Sequence, residues 1–162
     1  MTGFRFALVL ENGEPAGSTF TQAIGSRIAS VPARLLLVDD DENYLDALTA
    51  MLGRDDRFEI VGRAGNGAEA VGLASSLLPD VVLMDVDMPV MDGIQATVLL
   101  GDQHPSTQVV LVSGSQFAER VFAFLSTLPV GGRSYRYLTK SRVPLELVDA
   151  ILEAAAAGRA LG

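Results

Sequence analysis

The sequence predicts an α/β fold in which helices pack on a buried parallel sheet, and three observations carry that prediction. From residue 33 onward, short apolar runs alternate with longer amphipathic stretches five times, the pattern of repeated βα units. The apolar mass is mostly Leu, Val and Ala, with aromatics at only 6%, which suits helices on a sheet better than an aromatic-rich sandwich. The chain has 162 residues, enough to bury one real core with a modest extension but not for a second full domain.

The elements follow in order. Leu35 to Val38 is the first strand, and Asp41 can cap a helix over Tyr44, Leu45, Leu48 and Leu52 that ends at Gly53. Phe58 to Val61 is the second strand. Asn66 with Glu69 forms a capping-box pattern for a helix carrying Ala70, Val71, Ala74 and Leu77, which Pro79 stops. Val81 to Met84 is the third strand and delivers Asp85 at its carboxyl end, the edge where open α/β sheets place their ligands. After a loop from Val86 to Met91, Asp92 can cap a helix through Ile94, Val98 and Leu99, closed by His104 and Pro105. Val109 to Val112 is the fourth strand, ending at Ser113, and a fourth helix covers Phe117 to Leu125. The short strand Tyr135 to Leu138 then leads to Lys140. Pro144 suits the first turn of a last helix, Leu145 to Ala157, with Gly158 as its stop.

Residues 1–32 fall outside this rhythm and form an extension and linker. Phe4 to Leu10 and Ser18 to Gln22, joined by the turn-rich segment Glu11 to Gly17, are compatible with a β-hairpin, which is marginal alone in water and would need something to pack on. No repeat beyond the βα alternation and no low-complexity segment occurs.

Charge narrows the function. Twelve basic and twenty acidic side chains give −8, which disfavours a phosphate-backbone binder, so no direct nucleic-acid binding is expected of this chain. The absence of cysteine removes disulfides, thiolate metal sites and Cys nucleophiles, and fits a reducing compartment. The early apolar run Phe6 to Leu10 is too short for a signal peptide or membrane span, so the expected location is cytoplasmic, with no membrane partner.

The chemistry concentrates at one edge. Asp39, Asp40, Asp41 and Glu42 follow the first strand, and Asp85 and Asp87 follow the third; in a parallel sheet these carboxylates converge. Converging carboxylates repel, and a hard divalent cation relieves that conflict; Mg²⁺ is the natural choice because it needs only one or two carboxylates and shares its shell with phosphate. Ser113 and Lys140 end the fourth and fifth strands on the same edge and supply a hydroxyl and a fixed positive charge. A carboxylate nucleophile, a metal, a hydroxyl and a lysine describe a phosphoryl-transfer site.

Four segments carry a family resemblance: Leu35 to Asp40, Met84 to Gly93, Val110 to Gly114 and Tyr137 to Lys140. Any one is weak; all four, in this order at the ends of successive strands, are highly specific. Together they resemble the response-regulator receivers, the CheY-like domains of two-component signalling, over about Arg34 to Gly158 within a receiver domain spanning residues 33–160. The stretch Phe58 to Val71 is similar to the receivers of NarL/LuxR-type regulators.

The resemblance implies a flavodoxin-like (βα)5 three-layer sandwich with a central five-stranded parallel sheet of strand order 2-1-3-4-5. It implies that Asp85 accepts the phosphoryl group from a sensor histidine kinase or phosphotransfer protein. Asp40 would bind Mg²⁺ directly, Asp39 directly or through water, Asp85 as a further ligand, and Asp87 through its backbone carbonyl. Ser113 would hydrogen-bond the aspartyl phosphate, Lys140 would pair with it, and Tyr137 would be the switch aromatic. Asp87 and Ser115 match positions that tune dephosphorylation. The fourth helix, fifth strand and fifth helix would form the output face, and a phosphorylation-dependent homodimer is one form the output could take. The domain would catalyse only its own phosphorylation and autodephosphorylation, not metabolism.

Three features depart from the family pattern. Ser141 follows Lys140 where many relatives have proline; a non-proline cis bond costs about 2.5–4 kcal/mol, so trans is expected. The stretch between Ser113 and Lys140 is long, with the excess in Leu128 to Ser134, and Gly131 and Gly132 read as a loop hinge. The extension is the third.

Blander roles compete residue by residue. Asp39 to Glu42 would suit a helix amino terminus, Ser113 a turn, Lys140 a solvated face and Tyr137 edge packing, while His104 is expected to be solvated with no phosphotransfer role. Competing functions are a NarL/LuxR-type transcription regulator of which this is the receiver fragment, a partner-binding module acting through the extension, and a haloacid dehalogenase-type phosphohydrolase suggested by Asp85-Val86-Asp87. Element order argues against the last, because those enzymes place the nucleophile after the first strand and the metal acids late.

Overall fold

The computed structural model describes residues 31–128 and 135–161, and every element below lies in the unit Pro32–Gly162. Strands β1 (Ala33–Val38), β2 (Phe58–Ala64), β3 (Val81–Asp85), β4 (Gln108–Ser113) and β5 (Arg136–Thr139) form one parallel sheet in the order β2-β1-β3-β4-β5. The helices between and after them are α1 (Glu42–Leu52), α2 (Gly67–Leu77), α3 (Gly93–Gln103), α4 (Ala118–Ser126) and α5 (Val143–Arg159). This is the expected flavodoxin-like (βα)5 sandwich with strand order 2-1-3-4-5. The expected amino-terminal hairpin, and the hinge at Gly131 and Gly132, lie outside the described residues.

The three layers follow from the two-residue period of a strand. Leu35, Leu37, Val81, Leu83, Val110 and Val112 face α1 and α5, where they meet Leu45, Leu48, Leu147 and Ile151. Their neighbours Leu36, Val38, Val82, Met84, Val109 and Leu111 face α2, α3 and α4, against Ala70, Ala74, Leu100 and Val121. Both faces are covered, which is why these strands read as unbroken apolar runs. Burying each such Leu contributes about 1.5–3 kcal/mol.

The register lines up the strand ends. Val38 pairs with Met84, so Asp39 and Asp85 leave adjacent strands at the same level. Asp85 pairs with Val112, and Ser113 pairs with Thr139, which sets Ser113 and Lys140 one step further along that edge. The backbone N–H of Lys140 donates to the Ser113 carbonyl at 2.8 Å and extends the pairing to the site itself.

Side-chain caps start the first three helices as expected. Asp41 accepts from the N–H groups of Asn43 (2.9 Å) and Tyr44 (3.4 Å), and Asn66 accepts from that of Glu69 (3.0 Å). The Glu69 carboxylate reaches one residue further upstream than a capping box predicts, to the Gly65 N–H at 2.9 Å. Asp92 and Gln95 form the full reciprocal box, where the sequence predicts a cap by Asp92 alone.

Several boundaries differ, each for a physical reason. Helix α5 does not stop at Gly158 but runs to Arg159. Gly158 is there for close approach: a Cβ would stand 2.6 Å from the Ser106 carbonyl oxygen and 3.1 Å from the Gln108 side chain. A 3-10 turn over Ser115–Phe117 precedes α4, whose helix begins at Ala118. Strand β2 continues to Ala64 because a register shift between Leu35 and Leu36 carries the pairing past Val61 to Gly62. Among the described residues no peptide is cis, so Lys140–Ser141 is trans as expected, and no helix is long and apolar enough to cross a membrane.

Candidate functional site

Asp39, the residue after β1, is only 2% exposed and is fully engaged. One of its oxygens accepts from the Asp41 backbone N–H at 2.9 Å and the other from Lys140 Nζ at 2.6 Å. Asp85, the last residue of β3, is 6% exposed and lies 3.3 Å from the same ammonium. Asp40 is exposed, and carboxylate oxygens of Asp39, Asp40 and Asp85 all lie within 4.8 Å of one another. Lys140 therefore bridges two buried acids, and the three carboxylates converge beside its single ammonium.

The electrostatics follow from that imbalance. Burial pushes the Asp85 carboxyl up to about 6, the neighbouring Asp39 pushes the same way, and Lys140 only partly offsets them. Burial opposes the charge of Lys140, but its hydrogen bond to Asp39 and the field of Asp85 outweigh that, so its pKa stands above the ordinary value. A cluster of oxygen donors with more negative charge than one lysine can balance fits a hard divalent cation, and no nitrogen or sulfur donor belongs to it.

A second pair sits one strand away. Ser113 is fully buried, and its hydroxyl donates to the Gly114 carbonyl at 3.2 Å and to the Tyr137 hydroxyl oxygen at 3.4 Å. Tyr137 is half-buried, and the exposed Phe122 of α4 meets its ring edge-on, with centroids 5.6 Å apart. The structure thus brings Asp39, Asp40, Asp85 and Lys140 into one cluster and joins Ser113 to Tyr137 beside it. Asp87 and Ser115 have exposed side chains on that edge. His104 is not freely solvated as expected: it is half-buried at the end of α3, with its Nε2 3.1 Å from the Ser75 hydroxyl of α2.

Sequence reasoning missed two residues here. Tyr44 appeared only as an apolar position of α1, yet Lys140 Nζ stands 4.3 Å from the centre of its ring. Helical periodicity signals burial and does not say which neighbour a side chain meets. Gly93 was part of a motif without a role of its own; a Cβ there would fall 1.9 Å from the Asp85 carbonyl oxygen, so only glycine lets α3 start against the Asp85 backbone. Its place directly after the Asp92 cap was the available signal.

Comparison with known proteins bears on family and fold. The family model described as "Response regulator receiver domain" matches residues 35–152. The chain is 34% identical over 128 residues to the uncharacterized transcriptional regulatory protein YxjL of Bacillus subtilis, covering 79% of this chain and 56% of that protein. It is 34% identical over 114 residues to a protein-glutamate methylesterase/protein-glutamine glutaminase of Halalkalibacterium halodurans, covering 70% of this chain and 32% of that protein. Among solved structures, the signal receiver domain of the putative response regulator NarL from Mycobacterium tuberculosis matches with a TM-score of 0.69 at 29% identity, covering 78% of this chain and 98% of that one. The chain thus spans between about a third and a little over half of these two curated relatives.

Proposed function

The chain belongs to the response regulator receiver family, and on that premise we propose that Asp85 is the phosphoacceptor of a two-component phosphorelay. The observation that carries this is the Lys140 ammonium, 2.6 Å from Asp39 and 3.3 Å from Asp85 across the sheet edge. A carboxylate oxygen of Asp85 attacks the phosphorus of a phosphohistidine on a sensor kinase or phosphotransfer protein. The P–N bond breaks, its electron pair leaves with the imidazole, and an acyl phosphate remains on Asp85.

The other residues neutralise and read the new charge. Lys140 pairs with a phosphoryl oxygen, and the Ser113 hydroxyl, turned from the Gly114 carbonyl, donates to another. Asp39, Asp40 and Asp85, with the carbonyl of Asp87, would hold Mg²⁺, which would supply charge compensation at the phosphoryl oxygens. Movement of Ser113 ends its contact with Tyr137, and Tyr137 carries the change to α4, β5 and α5, a two-state surface biased by a local charge. That face would signal downstream, through a phosphorylation-dependent homodimer among other routes.

We assign the receiver to residues 33–160, with residues 1–32 as an extension, and place the protein in the cytoplasm. Its chemistry is confined to its own phosphorylation and dephosphorylation. A second reading, the receiver portion of a NarL/LuxR-type transcription regulator, is favoured by the likeness to YxjL and to the NarL receiver. Beryllofluoride with Mg²⁺ tests the site: a bound ¹⁹F signal is expected in the wild-type protein and not in Asp85→Asn. A folded wild-type protein that gives no such signal counts against the assignment.

A further inference from the structure

Lys140 has three neighbours that attract its charge, and two of them are also the carboxylates proposed to hold the metal. The third is the face of Tyr44. The ring belongs to α1 and is half-buried against the core, and the Nζ–centroid distance of 4.3 Å lies well inside the range of a cation–π contact. The Tyr44 hydroxyl is buried with no hydrogen-bond partner among the described residues, so nothing in the hydroxyl's surroundings accounts for this residue. The ring face does: a lysine has a four-carbon stem and a compact charge that can leave the site, and Lys140 keeps 31% of its side chain exposed.

We propose that Tyr44 is a positioning residue for phosphoryl transfer, its ring holding the Lys140 ammonium over Asp85 through a cation–π contact. Asp39 and Asp85 would also serve as ligands of a bound cation, which would weaken their hold on the ammonium; the ring would not, so it would remain the fixed partner of Lys140. The ammonium is then already in place for the incoming phosphoryl oxygen and need not be recruited from solvent. This rests on the assignment of Asp85 as phosphoacceptor.

The test is a graded series at position 44 in the full chain. Tyr44→Phe should be modified by acetyl phosphate within about twofold of the wild-type rate, and Tyr44→Leu about three- to tenfold more slowly, the range such contacts supply. Installing mono-, di- and trifluorinated phenylalanines at the same position keeps the shape of the Tyr44→Phe ring while draining its face, and the rate should fall step by step along the series. A packing role would leave the fluorinated series flat. In the metal-free protein the Lys140 Hε resonances should be shifted upfield by the ring in wild type and Tyr44→Phe and return to ordinary values in Tyr44→Leu. A flat series or an unshifted wild-type resonance overturns the proposal. A wild-type protein that is never modified overturns the Asp85 assignment instead, and the resonance still reports whether ring and ammonium meet.

Discussion

Asp85 is held where a carboxylate is least comfortable, buried beside Asp39, and this makes the metal-free protein sensitive to pH. Its carboxyl is pushed up to about 6 in the folded chain, while an unfolded Asp titrates at an ordinary value near 4. Between these two values the folded state binds more protons than the unfolded state, so stability falls as pH rises through that window and then levels off. Urea denaturation of the metal-free protein from about pH 4 to about pH 7 should record that fall, and Asp85→Asn should flatten it. The same shift makes protons compete with cations, so Mg²⁺ should stabilise the protein more at about pH 8 than at about pH 5, read as the rise in melting temperature. Equal stabilisation at both would mean that Asp85 is not a ligand.

At the scale of elements, the helix starts were legible because caps are local chemistry: Asp41, Asn66 and Asp92 each precede an amphipathic run and each accepts from the first turn. Asp92 does more than cap, since its other oxygen takes the Arg120 guanidinium of α4 at 2.5 Å, a contact joining positions 28 residues apart that periodicity cannot reveal. Asp92→Ala removes the cap and that link, and should cost about 1–2 kcal/mol by denaturant titration. Gly158 was misread as a stop because its sequence signature is the same whether glycine ends a helix or lets it approach a neighbour. Helix propensity alone would have Gly158→Ala stabilise α5 by about 1 kcal/mol. The 2.6 Å approach to the Ser106 carbonyl reverses the sign, and a net destabilisation of about 1–3 kcal/mol is expected by the same titration. A stabilised variant would mean that the contact relaxes and helix propensity decides the outcome.

Across the whole molecule, the convergence of the candidate site was legible because a parallel sheet turns sequence order into geometry: acids after the first and third strands and Ser113 and Lys140 after the fourth and fifth must share an edge. What the sequence could not show are contacts made by side chains whose type signals only burial. Tyr44 under Lys140 is one, and Gly62 facing Leu36 across the register shift is another. The proposed output surface is the least legible part, since the edge-on contact of Phe122 with Tyr137 joins side chains whose types signal only packing. The central claim lies upstream of that surface and is tested most directly by intact-mass spectrometry after incubation with acetyl phosphate. With Mg²⁺ the wild-type protein should gain the mass of one phosphoryl group, and neither Asp85→Asn nor the chelated wild-type protein should. Modification that survives Asp85→Asn, or its absence from the folded, Mg²⁺-supplied wild-type protein, would contradict the account.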